Sequence, residues 1–122
     1  MKFLGIDFGQ SKIGLAVSEG NIAKPLGVVS SKRQVVEICQ RDEIETIIMG
    51  ISEGKMAVKT RKFGQELQQT TNLPIEYWDE TLTSQKAQEI MNQAGKPRMK
   101  KKSSEHTISA ALILQDYLDN QL

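Results

Sequence analysis

The sequence predicts an α/β protein with a five-stranded mixed sheet flanked by helices. Three strand-like segments follow one another at the start of the chain with only short turns between them, which is typical of antiparallel hairpins. Helical and strand-like segments then alternate, which is typical of parallel strands joined by helical crossovers. The chain has 122 residues without a linker or an internal repeat, so we expect a single domain over residues 1–122.

The first three strands are predicted over residues 2–8, 13–18 and 23–30. Two short turns, "GQSK" and "EGN", separate them, so that neighbouring strands can pair as hairpins. Pro25 lies near the start of the third strand, where a missing backbone N–H is best tolerated.

The rest of the chain predicts four helices and two strands. The first helix, "SKRQVVEICQRDEI", has Ser30 or Ser31 as its N-cap. The last helix, "EHTISAALILQDYLD", is apolar over most of its circumference and is expected to be buried. Between them we predict a strand over 45–51, a helix over 52–70, a strand over 73–79, a helix over 83–94 and a basic loop over 95–104.

The composition excludes several classes of protein. The net charge is +1, so any affinity for nucleic acid must come from a local basic patch. No apolar run approaches the length of about 20 residues that a membrane span needs, and Asp7 comes too early for a signal peptide, so a cytoplasmic location is expected. The lone cysteine, Cys39, rules out an internal disulfide and is predicted to be a small core residue.

Carboxylates fall at the ends of two predicted strands. Asp7 interrupts the apolar strand "FLGIDF", and a buried carboxylate costs free energy unless something pairs with it. The glycines two residues away on either side, Gly5 and Gly9, are expected to leave room for a ligand. Asp79 and Glu80 follow the strand segment "IEYW". Strand ends are where α/β sheets place their chemistry, so these are candidate site residues.

A third polar pair, Glu105 and His106, is predicted to open the last helix. His106 shares a helical stripe with Ala110, Ile113 and Tyr117, so we expect it to lean toward the sheet. Carboxylates that converge need a cation, or one of them must hold a proton, and hard oxygen ligands suit Mg²⁺ or Mn²⁺. Ions of this kind support hydrolysis of phosphodiesters without a nucleophilic side chain.

Basic residues precede the last helix in the predicted loop "GKPRMKKKSS". We predict that they hold a phosphate backbone, and that the binding weakens steeply with salt. They are Lys96, Arg98, Lys100, Lys101 and Lys102. A second and weaker basic surface is predicted on the helix over 52–70, from Lys55, Lys59, Arg61 and Lys62.

Together these segments resemble one family of small nucleases. "LGIDFGQSKIGLAVSE" followed by "AKPLGVV" is similar to the opening of the YqgF-type pre-16S rRNA nucleases, which are relatives of the RuvC-type Holliday junction resolvases. "IIMGI", "RKFGQEL", "LPIEYWDETLTSQKA" and "SAALILQDYL" follow in the order of that family, so the resemblance covers nearly the whole chain. It implies an RNase H-like fold and a metal-dependent nuclease, with Mg²⁺ or Mn²⁺ as cofactor, that takes part in 5′ maturation of pre-16S ribosomal RNA.

The resemblance also implies the site residues. The family holds its metal with three acids, of which Asp7 matches the first and Glu80 the second. The third, an Asp at the start of the last helix, is His106 in this chain, with Glu105 beside it. We therefore predict Asp7, Glu80 and His106 as catalytic residues and metal ligands, with Glu105 as a further ligand. Lys12, in the turn after Asp7, is predicted to approach a substrate phosphate.

Two departures from the family pattern leave alternatives open. His106 changes the charge of the site, so the chain is either a nuclease or a non-catalytic RNA-binding protein on a nuclease-like scaffold. A compact "GISEGK" replaces the family's Gly-x-Pro turn and longer loop, which affects how a substrate is handled. The resemblance allows pre-rRNA or branched DNA as substrate, the latter for a Holliday junction resolvase, and the small ribosomal subunit as partner. No membrane partner is expected, and the protein is predicted to be a monomer or a homodimer.

Overall fold

A computed structural model describes residues 1–79 and 98–121, with only the helical backbone for 98–104. The strands are β1 (Phe3–Phe8), β2 (Ile13–Glu19), β3 (Ile22–Val29), β4 (Thr46–Ile51) and β5 (Ile75–Asp79). The helices are α1 (Lys32–Arg41), α2 (Lys55–Thr71) and α3 (Arg98–Asp119). The predicted helix over 83–94 lies outside the described residues.

The five strands form one mixed sheet in the order β3-β2-β1-β4-β5. β1 pairs antiparallel with β2, and β2 pairs antiparallel with β3, which confirms the two hairpins. β4 lies parallel to β1, and β5 lies parallel to β4. The carboxyl ends of β1, β4 and β5 therefore meet at one edge of the sheet, where parallel strands commonly place functional side chains.

Two of the predicted boundary signals are present in the structure. The hydroxyl of Ser31 accepts a hydrogen bond from the backbone N–H of Gln34 at 3.3 Å, so Ser31 is the N-cap of α1. Pro25 lies in β3, an edge strand, opposite Ala16 and beside a register shift in the β2–β3 ladder. A proline is tolerated there because, among the described residues, no further strand pairs with the outer side of β3 and needs the missing N–H.

The sheet buries a different kind of residue on each face. On one face, which we call the α1/α2 face, large side chains of the strands pack against α1 and α2. This core comprises Leu4, Ile6, Ile13, Leu15, Val35, Cys39, Ile44, Ile47, Met49, Phe63 and Leu67. The burial of Cys39 confirms its prediction as a core residue.

On the other face, which we call the α3 face, β1 and β2 present small residues to α3. A Cβ added to Gly5 would lie only 2.8 Å from Cβ of Leu114 and 2.9 Å from the carbonyl oxygen of Ala110. Gly5 therefore does not leave room for a ligand, as the sequence suggested, but for the backbone of α3. The core on this face comprises Ala16, Ile48, Ala110, Ile113, Leu114 and Tyr117.

The predicted start of the last helix is wrong. α3 begins at Arg98, seven residues before Glu105, so Arg98, Lys100, Lys101 and Lys102 belong to a helix and not to a loop. Arg, Met and Lys are good helix formers, and no residue between Arg98 and Glu105 breaks a helix. The run of charged residues suggested a solvent-exposed loop, although the same residues also favour a helix.

The other boundaries differ from the predictions by a few residues. α2 begins at Lys55 rather than at residue 52, and β5 begins at Ile75 rather than at residue 73. Within the described part of the chain, no helix is both long and apolar enough to span a membrane.

Candidate functional site

Asp7 lies near the carboxyl end of β1, opposite Gly14 of β2. The residue is only 8% exposed, although neighbouring positions of the strand are apolar core. Period-2 alternation places Leu4 and Ile6 on the α1/α2 face, and it places Asp7 on the α3 face. A carboxylate in this position requires a polar partner.

That partner is His106 of α3. Its Nδ1 lies 2.9 Å from Oδ2 of Asp7, and the two side chains are 33% and 11% exposed. The predicted stripe is confirmed, because Ala110, Ile113 and Tyr117 are buried against the sheet on the same helix. His106 therefore leans inward, as the sequence indicated.

Two glycines make this contact geometrically possible. A Cβ on Gly14 would overlap the backbone carbonyl of His106. A Cβ on Gly9 would lie 3.2 Å from Cε1 of His106 and 2.7 Å from the carbonyl oxygen of Lys12. The role of Gly14 was missed from the sequence, although a glycine within a strand is a known signal of close backbone approach.

The hydrogen bond fixes the chemistry of the imidazole ring. An ionised carboxylate only accepts hydrogen bonds, so Nδ1 of His106 carries the proton and donates it to Asp7. This hydrogen bond raises the pKa of His106, against the opposing effect of desolvation. The charges of Asp7 and Glu105 raise the pKa further, whereas the charge of Lys12 lowers it.

Two more predicted residues, Lys12 and Glu105, lie near the ring. Lys12 precedes β2, and its carbonyl oxygen accepts a hydrogen bond from Gly9 N–H at 2.9 Å, which closes the β1–β2 turn. Glu105 directly precedes His106 and is half-buried. The structure thus brings Asp7, His106, Glu105 and Lys12 together at the end of β1.

A second set of contacts holds α3 against β5. The hydroxyl of Tyr117 donates to Glu76, and Nε1 of Trp78 donates to Oδ2 of Asp116 at 2.7 Å. The rings of Trp78 and Tyr117 meet edge to face with centroids 5.5 Å apart. Desolvation, together with the hydrogen bond to Glu76, raises the pKa of Tyr117 to about 12. These contacts connect the helix that carries His106 to the strand that ends at Asp79.

The contacts described above do not involve the remaining predicted site residues. Glu80 and Lys96 lie outside the described residues. Arg98, Lys100, Lys101 and Lys102 lie in the first turns of α3, on the same helix as His106.

The fold is shared with solved structures of junction-resolving enzymes. Thermus thermophilus RuvC in complex with a Holliday junction substrate aligns over 98% of this chain and 97% of its own, with a TM-score of 0.63 and 16% identity. Fowlpox virus resolvase in complex with Holliday junction DNA aligns over 100% and 99%, with a TM-score of 0.61 and 16% identity. The protein therefore has the RNase H-like fold of these resolvases, which confirms the predicted fold class.

The sequence identifies the family more narrowly. Residues 1–120 match the family model of RuvX, described as Holliday junction resolvase, and the chain belongs to this family. Two similar relatives carry the name "Putative pre-16S rRNA nuclease". The one from Protochlamydia amoebophila is 36% identical, and the one from Syntrophomonas wolfei is 30% identical. Each alignment covers 98% of this chain and 94% of the relative. The resemblance found in the motifs is confirmed.

Proposed function

We propose that the protein is a metal-dependent endonuclease that cuts structured nucleic acid, and that it acts in 5′ maturation of pre-16S ribosomal RNA. The observation that carries the proposal is the buried carboxylate of Asp7, held at 2.9 Å by His106 at the edge where three parallel strands end. Burial of a carboxylate costs free energy, so its position at the carboxyl ends of parallel strands, where α/β sheets place their chemistry, supports a catalytic task. The name of the similar relatives supports the choice of substrate.

The donor set fits a divalent ion only if a second carboxylate joins Asp7. Among the described residues there is no group of three or more His, Cys, Asp or Glu side chains that could hold a metal. Glu80 is the next residue after the end of β5, and β5 ends at the same edge of the sheet as β1. Asp7 and Glu80 would thus supply hard oxygen ligands for Mg²⁺ or Mn²⁺, with water completing the coordination. Such an ion, when bound, lowers the pKa of a water and stabilises the leaving oxygen.

His106 has two roles in this proposal. It holds Asp7 in place, and it accepts a proton. Because Nδ1 donates to Asp7, the neutral ring keeps its lone pair on Nε2. This nitrogen is available to take a proton from an attacking water, which is the usual role of a histidine oriented by a carboxylate. The predicted roles of His106 and Glu105 as metal ligands remain alternatives within this proposal.

Basic residues near the site would bind the phosphate backbone. The charge of Lys12 lowers the pKa of His106, which supports the assignment of Lys12 to binding a phosphate at the site. Lys96, Arg98, Lys100, Lys101 and Lys102 precede His106 along the chain, and the last four lie on the same helix. Their charges would guide the backbone toward the end of β1.

One observation favours the second candidate, a non-catalytic RNA-binding protein. One oxygen of Asp7 is already engaged by His106, whose raised pKa favours a cation in the place where the family has a third acid. A positive ring beside Asp7 competes with a metal ion for the carboxylate.

Cleavage assays distinguish the two candidates. A structured RNA that contains the 5′ region of pre-16S rRNA and a four-way DNA junction are incubated with Mg²⁺ or Mn²⁺ and the wild type, Asp7→Asn or Asp119→Asn. The nuclease proposal expects metal-dependent cutting by the wild type and a loss of at least about 100-fold in Asp7→Asn, the scale of removing one positioned catalytic group. Asp119→Asn, an exposed position near the end of α3, should cut like the wild type.

The substrate that is cut assigns the activity. Cutting of the RNA supports rRNA maturation, and cutting of the junction alone supports a DNA resolvase. No cutting by the wild type, with binding of the RNA intact, would contradict the nuclease proposal and support the non-catalytic protein.

A further inference from the structure

An open groove lies on the opposite face of β1 from Asp7. It has a volume of about 400 Å³ and lies between the end of β1 and the exposed side of α2. It is lined by Phe8, Gln10, Lys59, Lys62, Phe63 and Glu66. None of these residues has a role in the site described above.

The floor of the groove is aromatic. The rings of Phe8 and Phe63 stack with centroids 4.5 Å apart and an interplanar angle of 26°. Phe63 belongs to the core on the α1/α2 face, whereas Phe8 is half-buried and keeps part of its ring accessible. An accessible aromatic ring is a platform on which a nucleic acid base can stack, whatever its sequence.

The rim of the groove is basic. Lys59 and Lys62 lie one turn apart on α2, and both are exposed. Lys55 extends the same helical stripe toward the start of α2. Glu66, on the next turn beyond Lys62, provides a negative charge at the far end of the groove. The charge pattern therefore favours a phosphate at Lys59 and Lys62 and disfavours one near Glu66.

The groove and the candidate active site lie on opposite faces of β1 and are joined at the end of the strand by the β1–β2 turn. Phe8 directly follows Asp7 in β1, and successive side chains of a strand point to opposite faces. Gln10 lies in the turn that follows and lines the groove, and Lys12 closes that turn beside His106. A strand that crosses this turn would pass directly from Asp7 to the groove.

We propose that the groove binds a single nucleic-acid strand next to the position of cutting, with a base on Phe8 and phosphates on Lys59 and Lys62. The volume is in the lower part of the range of small-ligand pockets, which suits one nucleotide, and a base that stacks on Phe8 must be unpaired, which favours a single strand over a duplex. The inference rests on the proposed function, because it assumes a nucleic-acid substrate at Asp7. RNA and DNA single strands share this chemistry, and the test includes both.

Binding is measured without metal, so that the result does not depend on catalysis. Fluorescence anisotropy in EDTA is recorded with a short single-stranded RNA, a DNA of the same sequence, and the corresponding DNA duplex. The variants are Lys59→Ala/Lys62→Ala, Glu66→Gln and the control Lys24→Ala. Lys24 is an exposed lysine of β3 that pairs with Glu19 of β2, at the end of the sheet away from Asp7.

The lysine variant should bind both single strands less tightly and with a weaker dependence on salt. A single-strand phosphate contact contributes about 0.7 to the slope of log affinity against log salt, so the loss of two contacts should reduce the slope by about 1.4. At about 0.1 M salt this corresponds to about 25-fold weaker binding. Glu66→Gln should bind more tightly, and Lys24→Ala should bind like the wild type.

Three results would overturn the inference. They are equal binding by Lys59→Ala/Lys62→Ala and the wild type, an equal loss in Lys24→Ala, and a loss on the duplex as large as on the single strands. Lys59→Gln/Lys62→Gln, which keeps longer side chains, repeats the test if the alanine variant is poorly folded. Absence of cutting by the wild type would contradict the proposed nuclease but not this site, because the site is defined by binding alone.

Discussion

The two faces of the sheet are built in opposite ways. On the α1/α2 face, Leu4, Ile6 and Met49 separate the sheet from its helices with large branched or flexible side chains. On the α3 face, Gly5 and Gly14 bring the helix backbone almost onto the strands. The first arrangement is a thick apolar layer, and the second is a close backbone contact.

The difference shows how β1 can contribute both to the stability of the fold and to the candidate active site. The alternate residues of β1 that face α1 and α2 bury large apolar area, which is the main favourable contribution to folding. The other residues of β1 include Gly5, and the close approach of α3 brings His106 within hydrogen-bond distance of Asp7. The comparison predicts that an added carbon atom destabilises the α3 face, whereas a removed carbon atom destabilises the α1/α2 face.

The largest effect is expected from Gly14→Ala, which adds one carbon on the α3 face. The new methyl group would overlap the carbonyl of His106, so α3 must move away from the sheet. We expect a loss of about 3 kcal/mol in the free energy of unfolding, at the upper end for overpacking. Urea denaturation of the variant and the wild type measures it. A loss below about 0.5 kcal/mol, the range of neutral surface substitutions, would contradict the close contact.

A smaller effect is expected from Ile6→Val, which removes one carbon on the α1/α2 face. Ile6 is fully buried, and neighbouring side chains can partly relax into the space, so the loss should be about 1 kcal/mol. The same denaturation assay measures it. Ile22→Val is the matched control, since Ile22 is 59% exposed and its change should have nearly no effect. Equal losses in Ile6→Val and Gly14→Ala would contradict the difference between the faces.

The smallest effect is expected at the polar contact between Asp7 and His106, where the measured quantity is the pKa of His106. Asp7 raises the pKa of His106, so Asp7→Asn should lower that pKa. The protein has one histidine, so an NMR titration of the metal-free protein follows its ring without ambiguity. Asp119→Asn, a change of the same type at a distant exposed position, should leave the titration unchanged. An unchanged pKa in Asp7→Asn would show that the two side chains do not interact in solution.

The raised pKa of His106 also determines how the stability of the folded protein changes with pH. A pKa raised above the ordinary value of 6.5 means that the folded state binds the proton more tightly than the unfolded state. The stabilisation is thus fully present below pH 6.5 and is lost as the pH rises through the raised pKa of the folded protein. In Asp7→Asn this loss of stability should be reduced.

The sequence by itself determined the five strands, their hairpin and crossover connections and the presence of a carboxylate, Asp7, within a buried strand. These features depend on local signals: period-2 and helical patterns of apolar residues, turn residues, and a carboxylate that interrupts a buried strand. The inward direction of His106 was also predictable, because residues one and two turns away on its helix are apolar. The family motifs were specific enough to name the class of protein.

Only the tertiary structure decided how these residues meet. The glycines beside Asp7 suggested room for a ligand, but Gly5 and Gly9 are placed against α3. The start of α3 at Arg98 was hidden by a charge run, because helical propensity and solvent exposure predict different structures for a row of lysines. The contact of Asp7 with His106 joins residues 99 positions apart. No local sequence pattern predicts this contact, since it depends on how closely a helix can approach a sheet.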